Sequence, residues 1–313
     1  SAPTNAKKYT FSTWVKRSEL GNKGELIAAE TNNINYDDFN FNSSDELEQV
    51  SQRTSSYKTS DVRLFRDTSA FYNVVAQWDT SLASATDRLK VYINGVRLTW
   101  DQTAYSGALP QDTALKFNEN GASLSIGYSV SNSGIFEGYM AQTAGIDGSI
   151  VAIGDLGETK NGVWIAKDLS GLTFGNNGFL LDYASSSDMG NDVSGNNNDF
   201  TPTSISAHDQ MLDSPTFNSD SNGGNYCTLN PLFPDPTVAR INDGNLAWGG
   251  SGGGGSVNEM GCMSTFAISP SDTNKYYFEA RMKVGHSGGL EQSVGVNVPT
   301  VDLTSDRGGR PTV

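Results

Sequence analysis

The sequence predicts an all-β fold: an antiparallel sandwich, an extended connector and part of a second β-sandwich. Three observations predict it. Apolar and polar residues alternate in segment after segment, the period of a half-buried strand. No window of a dozen residues carries apolar positions at helical spacing with a cap at one end and a glycine stop at the other. Among 313 residues there are 34 Gly and 10 Pro, and only 36% are hydrophobic, below the roughly 45–50% of an ordinary soluble domain. That balance suits many short strands joined by turns.

Tyr9, Phe11 and Val15 alternate with Thr10, Ser12 and Lys16, with Trp14 serving a second face. Tyr72, Val74, Ala76 and Trp78 form one apolar face, with Phe71, Asn73, Val75 and Gln77 on the other. Leu89, Val91 and Ile93 then alternate with Lys90 and Asn94 before the chain turns at Asn94-Gly95 into Val96, Arg97 and Leu98. Asn-Gly between alternating runs predicts a type I′ hairpin, because both central residues of that turn need positive φ. Further strands are expected at Leu124–Tyr128, Phe136–Ile146 and Phe179–Tyr183, separated by Gly, Asn, Ser and Asp clusters. This spacing describes one sandwich over residues 1–200.

Five prolines between Thr201 and Pro236 remove ladder donors and fix φ, so residues 201–240 read as an extended connector. A second strand-rich region, 241–313, follows. Asn245–Trp248 and Met263–Ile268 read as strands, with the glycine-rich run Gly249–Ser256 as a hairpin loop between them. Tyr276, Phe278, Ala280, Met282 and Val284 alternate without a break, and Val294, Val296 and Val298 repeat the pattern. These strands are too few to close a second sandwich.

Lys and Arg number 21 against 35 Asp and Glu, a formal net charge of −14. A phosphate-backbone partner would be repelled over most of the surface, so no nucleic-acid partner is expected. Charged residues are only 18% of the chain, so the acidity is diluted in hydroxyls and amides. No apolar run approaches the roughly 20 residues of a membrane helix. Cys227 and Cys262 match no zinc-ligand spacing and are expected to be reduced, packed thiols.

Three segments carry a resemblance: Phe11–Ser18, Arg66–Val75 and Asp87–Val96, of which the Leu-Lys-Val-Tyr-Ile-Asn-Gly hairpin is the most specific. They resemble the laminin-G-like, concanavalin A-like jelly roll, in the version found in tail-fibre and other virion proteins of bacteriophages, many of them marine. The resemblance covers roughly residues 9 to 200. Asp209–Thr216 and Asn225–Leu232 resemble the connector those proteins place after the jelly roll, and Gly244–Leu246 with Tyr276–Glu279 is similar to the opening strands of a SPRY-type sandwich. The strand that normally precedes the Trp14 region is short or missing, and the SPRY-like unit has no second half. Either the chain is a fragment or neighbouring chains complete its sheets.

The resemblance implies a virion protein on the exterior of the particle, in a tail fibre or similar appendage, adhering to a host-surface polysaccharide. Its partners would be other virion proteins and further copies of itself, a trimer for a fibre. Head decoration without a host ligand and a polysaccharide-degrading jelly-roll enzyme are the alternatives.

Four aromatics, Trp100, Tyr105, Tyr128 and Tyr139, sit at strand ends or on less apolar faces, where a ring with Asn or Asp nearby can stack on a sugar. The same aromatics can instead fill a core. Asp192, Asn196, Asn198 and Asp199 place oxygen ligands around a glycine turn, as a calcium ion requires; the alternative is an Asx-rich turn bonded to its own backbone. Glu46 and Glu48 would share a strand face like a glycosidase pair, but Ser43, Ser44, Gln49 and Ser51 around them read as a solvated edge strand. His208 and His286 lack a neighbouring nucleophile or second ligand, and the run from Gly249 lacks the Lys of a phosphate loop. No catalytic residue and no cofactor other than calcium is expected.

Overall fold

A computed structural model describes residues 1–52, 56–60, 63–99, 109–131, 133–218, 223–232, 241–248, 262–281 and 294–295. The chain divides into two compact units, Ser1–Tyr226 and Cys227–Val313.

The first unit is an antiparallel jelly-roll sandwich. In chain order its strands are β1 (Lys8–Arg17), β2 (Gly24–Asn32), β3 (Asn35–Phe41), β4 (Leu47–Gln52), β5 (Ser56–Ser60), β6 (Tyr72–Asp79), β7 (Leu89–Ile93) and β8 (Val96–Arg97). They continue as β9 (Ser123–Ile126), β10 (Tyr128–Ser129), β11 (Gly134–Ile135), β12 (Gly138–Asp147), β13 (Gly157–Lys160), β14 (Val163–Ala166) and β15 (Phe179–Leu181). One sheet runs β15-β12-β1-β6-β7-β8 and the other β5-β4-β3-β2-β9.

Between the sheets lies a core of Tyr9, Phe11, Val15, Val74, Ala76, Trp78, Leu89 and Val91 from the first and Leu26, Ile27, Phe39, Phe41 and Leu47 from the second. The first-sheet positions are the alternate ones that the sequence marks as apolar, so there pleat and pattern agree. The turn between β7 and β8 has Asn94 at φ 49° and Gly95 at φ 77°, the type I′ geometry that Asn-Gly predicts. Two polar core positions are satisfied: Trp78 Nε1 donates to Gln49 Oε1 at 3.0 Å, and Asp37 Oδ2 accepts from the Lys116 backbone N–H at 2.7 Å.

The outer face of the six-stranded sheet is covered as well. Val75, Ala144, Ile146 and Leu180 pack against Leu156, Leu169 and Phe174 from the segment after β12, which holds a single helical turn at Ile153–Leu156. At one end Trp14, Phe71 and Tyr139 form a separate aromatic cluster. Lys16, 1% exposed, reaches Asp213 Oδ1 at 2.9 Å, Asn225 Oδ1 at 3.0 Å and the Tyr226 carbonyl at 2.7 Å. The first unit therefore continues to Tyr226.

The second unit holds two short strands, β16 (Ile241–Asn242) and β17 (Ala247–Trp248), which pair with each other, and an isolated bridge between Leu229 and Ser264. The strands expected at Met263–Ile268 and from Tyr276 onward are absent among the described residues, where Tyr276, Tyr277 and Phe278 are exposed. Alternation supplies a strand's two faces but not its partner, and among the described residues no neighbouring strand pairs with this segment. Cys227 is exposed, not packed, and Cys262 is half-buried; both are free thiols. The glycine-rich run Gly249–Ser256 lies outside the described residues.

Candidate functional site

The outer face of the five-stranded sheet carries a row of polar side chains that the chain itself leaves poorly satisfied. Phe39 and Phe41 of β3 point into the core, so Asp38 and Asn40 point outward. Asn40 stands directly opposite Glu25 of β2 on one side and Glu48 of β4 on the other. At the roughly 4.8 Å spacing of adjacent strands, Glu25 and Glu48 are about 10 Å apart at their α-carbons with the amide between them.

A β-bulge puts Glu25 there. The pairing of β2 with β3 shifts between Glu25 and Ile27, so Leu26 and Ile27 both enter the core while Glu25 faces out opposite Asn40. Without the extra residue Glu25 would share a face with Ile27 and lie among phenyl rings; a bulge is the ordinary device for re-aiming one side chain.

The row is closed to solvent: Glu25, Asp38 and Asn40 are each 0% exposed. Among the described residues neither Oδ1 nor Nδ2 of Asn40 has a hydrogen-bond partner, and the Glu25 carboxyl is steadied only weakly, by the Phe39 backbone N–H. The nearest cation to Glu25 is Lys23, at 3.9 Å. Burial, then the charge of Asp38, pushes the Glu25 carboxyl well above the usual range; Lys23 opposes this and Glu48 adds to it. Tyr36, further along β3, is raised by burial and then by Asp38, Glu25, Glu30 and Glu48. A buried amide with nothing to bond costs about 1–3 kcal/mol.

The hairpin β10–β11 lies on this face. Ser129 Oγ donates to Asp38 Oδ2 at 3.3 Å, and Ser131 donates to Glu30 Oε2 through its backbone N–H at 3.1 Å and through its hydroxyl. Gly134 rests on Glu25 so closely that a Cβ there would lie 3.1 Å from Oε2. With Ser129 and Gly134 turned down, the paired residues Tyr128 and Ile135 turn up and are 45% and 59% exposed.

Of the aromatics expected to bind sugar, Tyr128 thus sits over the polar row. Tyr139 does not: it is buried on the other sheet with Trp14 and Phe71, under Lys16 Nζ at 5.2 Å from its ring, and so fills a cluster. Trp100 and Tyr105 lie outside the described residues. Glu48 is on β4, but β4 is flanked by β3 and β5 and Glu48 is buried, so this is not a solvated edge strand. Glu46 lies in the preceding turn, its carboxylate accepting from Asn42 Nδ2 at 3.0 Å, and forms no strand pair with Glu48.

Asp192, Asn196, Asn198 and Asp199 meet in one loop, held by its own hydrogen bonds. Asp192 Oδ1 accepts from the backbone N–H groups of Leu180 at 2.8 Å and Ser194 at 2.9 Å. Its Oδ2 accepts from Ser194 Oγ at 2.8 Å and the Asn198 N–H at 2.9 Å. Asp199 accepts from the Asp192 N–H at 2.9 Å, and the amides of Asn196 and Asn198 both donate to the Gly178 carbonyl, at 2.8 and 2.9 Å. A carboxylate offers about four lone-pair sites, and four donors occupy those of Asp192, so the loop does not fit a calcium ion. Among the described residues no three His, Cys, Asp or Glu side chains are placed to hold a metal.

Glu25, Asp38 and Asn40 are the functional candidates that sequence reasoning missed. The alternation of Tyr36, Asp38 and Asn40 against Phe39 and Phe41 was a signal for the outward pair on β3; no signal marks the bulge that exposes Glu25 to them.

No family model matches the chain, and no curated protein sequence matches it. Among solved structures it is similar to the heptameric SAP-like pentraxin of Limulus polyphemus, at 13% identity and TM-score 0.33 over 46% of this chain and 66% of that one. A second is domain 4 of AbnA, a GH43 extracellular arabinanase from Geobacillus stearothermophilus in complex with arabinotriose, at 17% identity and TM-score 0.34 over 48% and 64%. A third is the CBM40 of the Ruminococcus gnavus IT-sialidase bound to α2,3-sialyllactose, at 11% identity and TM-score 0.30 over 43% and 70%. The chain spans less than two thirds of the pentraxin's and the arabinanase domain's own lengths.

Proposed function

We propose that the chain is a glycan-adhesion module of a bacteriophage virion, carried on a tail fibre or similar appendage, and that it binds through the outer face of its five-stranded sheet. The observation that carries the binding site is Asn40: a fully buried amide, both polar atoms unused, between two carboxyl groups on one sheet face. A pyranose admitted to the row offers neighbouring hydroxyls that donate and accept, and it can give Glu25 further donors, and Asn40 both the donor and the acceptor that the described residues withhold.

The acidic row, in a chain of net charge −14, favours a neutral sugar over uronic, sialic or phosphorylated ones. Each site would be weak, and repeated copies on a particle would raise the avidity. The virion assignment is supported by the resemblance of Phe11–Ser18, Arg66–Val75 and Asp87–Val96 to phage jelly rolls.

A glycan array of neutral and anionic bacterial polysaccharides tests the binding. Neutral glycans should bind, and Asn40→Ala should weaken binding by at least about tenfold, the equivalent of one lost hydrogen-bonding group at about 1.4 kcal/mol. Failure to retain any glycan, or equal retention by Asn40→Ala, would overturn the site. Detection of the chain in purified phage particles tests the location separately.

A further inference from the structure

We propose that the first unit carries a self-modification site: the side chains of Lys16 and Asn225 join in an amide bond, Asp213 carries the proton, and ammonia leaves. All three residues belong to Ser1–Tyr226. The inference goes beyond the glycan reading and uses none of its residues.

The reacting groups are already in contact. Lys16 stands near the end of β1, opposite Tyr139 of β12, and its side chain is 1% exposed. Its Nζ lies 3.0 Å from Oδ1 of Asn225 and 2.9 Å from Oδ1 of Asp213. The Asn225 amide is held from its other end: Nδ2 donates to the Ser69 carbonyl at 2.7 Å, which leaves the oxygen turned toward Lys16. The carbonyl carbon stands one bond, about 1.2 Å, behind that oxygen, close to the separation of about 3–3.5 Å at which an attack begins. The rings of Tyr139 and Phe71 lie 5.2 and 6.0 Å from Nζ and help to exclude the water that would compete as a nucleophile. An ammonium buried for packing alone needs only three acceptors. This one is given a carboxylate that can take its proton and a carboxamide carbon that it can attack.

The step balances without an oxidant, a reductant or a second substrate. Asp213 takes one proton from the Lys16 ammonium, which frees the nitrogen lone pair. That pair forms the bond to Cγ of Asn225 while the carbonyl π pair moves onto Oδ1. Asp213 then gives its proton to Nδ2, the Cγ–Nδ2 bond breaks as the oxygen pair re-forms the carbonyl, and ammonia leaves. The new amide nitrogen sheds its surplus proton through Asp213 to the ammonia, which departs as ammonium. The ion pair of Lys16 and Asp213 is the state before the bond forms. Fixing the amine against the amide supplies an effective concentration that free solution lacks, about 10⁵–10⁸ M for well-oriented groups. The product ties β1 covalently to the proline-rich stretch, 209 residues further along the chain.

Intact-mass spectrometry of the full chain under denaturing conditions tests this. Wild type should weigh one ammonia less than its sequence, and peptide mapping should recover the Lys16 and Asn225 peptides as one branched species. Asn225→Ala, which keeps the Lys16–Asp213 pair, should show its full sequence mass, and so should Asp213→Ala. On a denaturing gel wild type should run faster than both, because the bond closes the chain from residue 16 to residue 225 into a ring. Wild type at its full sequence mass would overturn the proposal however the variants behave. So would a missing ammonia that maps to another asparagine, such as Asn94 before Gly95, or one that persists in Asn225→Ala. A ring that closes at the wild-type rate in Asp213→Ala would overturn the role given to Asp213. No sugar is present, so the glycan array judges the binding reading on its own.

Discussion

The ammonium of Lys16 lies 2.9 Å from Oδ1 of Asp213, both side chains nearly buried and 197 residues apart in sequence. Lys16 ends the outward row of β1, and Asp213 belongs to the proline-rich stretch, so the pair fastens that stretch to the sheet. Removing one member of a buried pair strands the other and typically costs 3–5 kcal/mol. Asp213→Ala should therefore destabilise the first unit by about that amount in urea denaturation and open residues 210–226 to proteolysis. A shift below about 0.5 kcal/mol, the range of an ordinary surface substitution, would mean that the stretch is a passive tether.

Gly95 should be irreplaceable for two separable reasons. Its φ of 77° costs an alanine about 1–2 kcal/mol, and a Cβ there would stand 2.7 Å from the Trp164 ring. The Trp164 indole N–H donates to Asn73 Oδ1 at 2.9 Å, so the ring cannot simply step aside. Gly95→Ala should lower the melting temperature, and in a Trp164→Ala background only the backbone part of the loss should remain. Equal losses in the two backgrounds would contradict the steric part.

Glu25 makes stability pH-dependent with a definite sign. Its carboxyl ionises at a higher pH in the folded chain than in the unfolded one, where the ordinary value is 4.5. The stabilisation it provides is thus complete below about pH 4.5 and is lost as pH rises through the folded value. Thermal melts should show wild type losing stability relative to Glu25→Gln as pH is raised above about 5. A constant difference between the two proteins across pH 4 to 8 would contradict the assignment.

Much of the first unit was legible in the sequence, because its core strands obey the simple pleat. Tyr9, Phe11 and Val15 on β1 and Val74, Ala76 and Trp78 on β6 enter the core as their alternation says, and Asn94-Gly95 turns as its chemistry demands. The second sheet was harder to read. Asp37 on β3 points inward and is satisfied by the Lys116 N–H, which breaks the alternation of Phe39 and Phe41. The bulge after Glu25 reverses the face that residue counting assigns to it. Tyr276–Phe278 failed the opposite way: the pattern is strong, but among the described residues no partner strand takes it up.

Asn40, proposed to be kept for a ligand at the expense of the fold, is best tested by the substitution Asn40→Leu. Leucine matches the amide in shape and has no polar atom to leave unbonded, so its burial removes a penalty of about 1–3 kcal/mol. Melting temperature and retention of a neutral polysaccharide should be measured on the same preparation. Asn40→Leu should melt higher than wild type and no longer retain the polysaccharide. A variant that melts lower, or one that binds as wild type does, would contradict it.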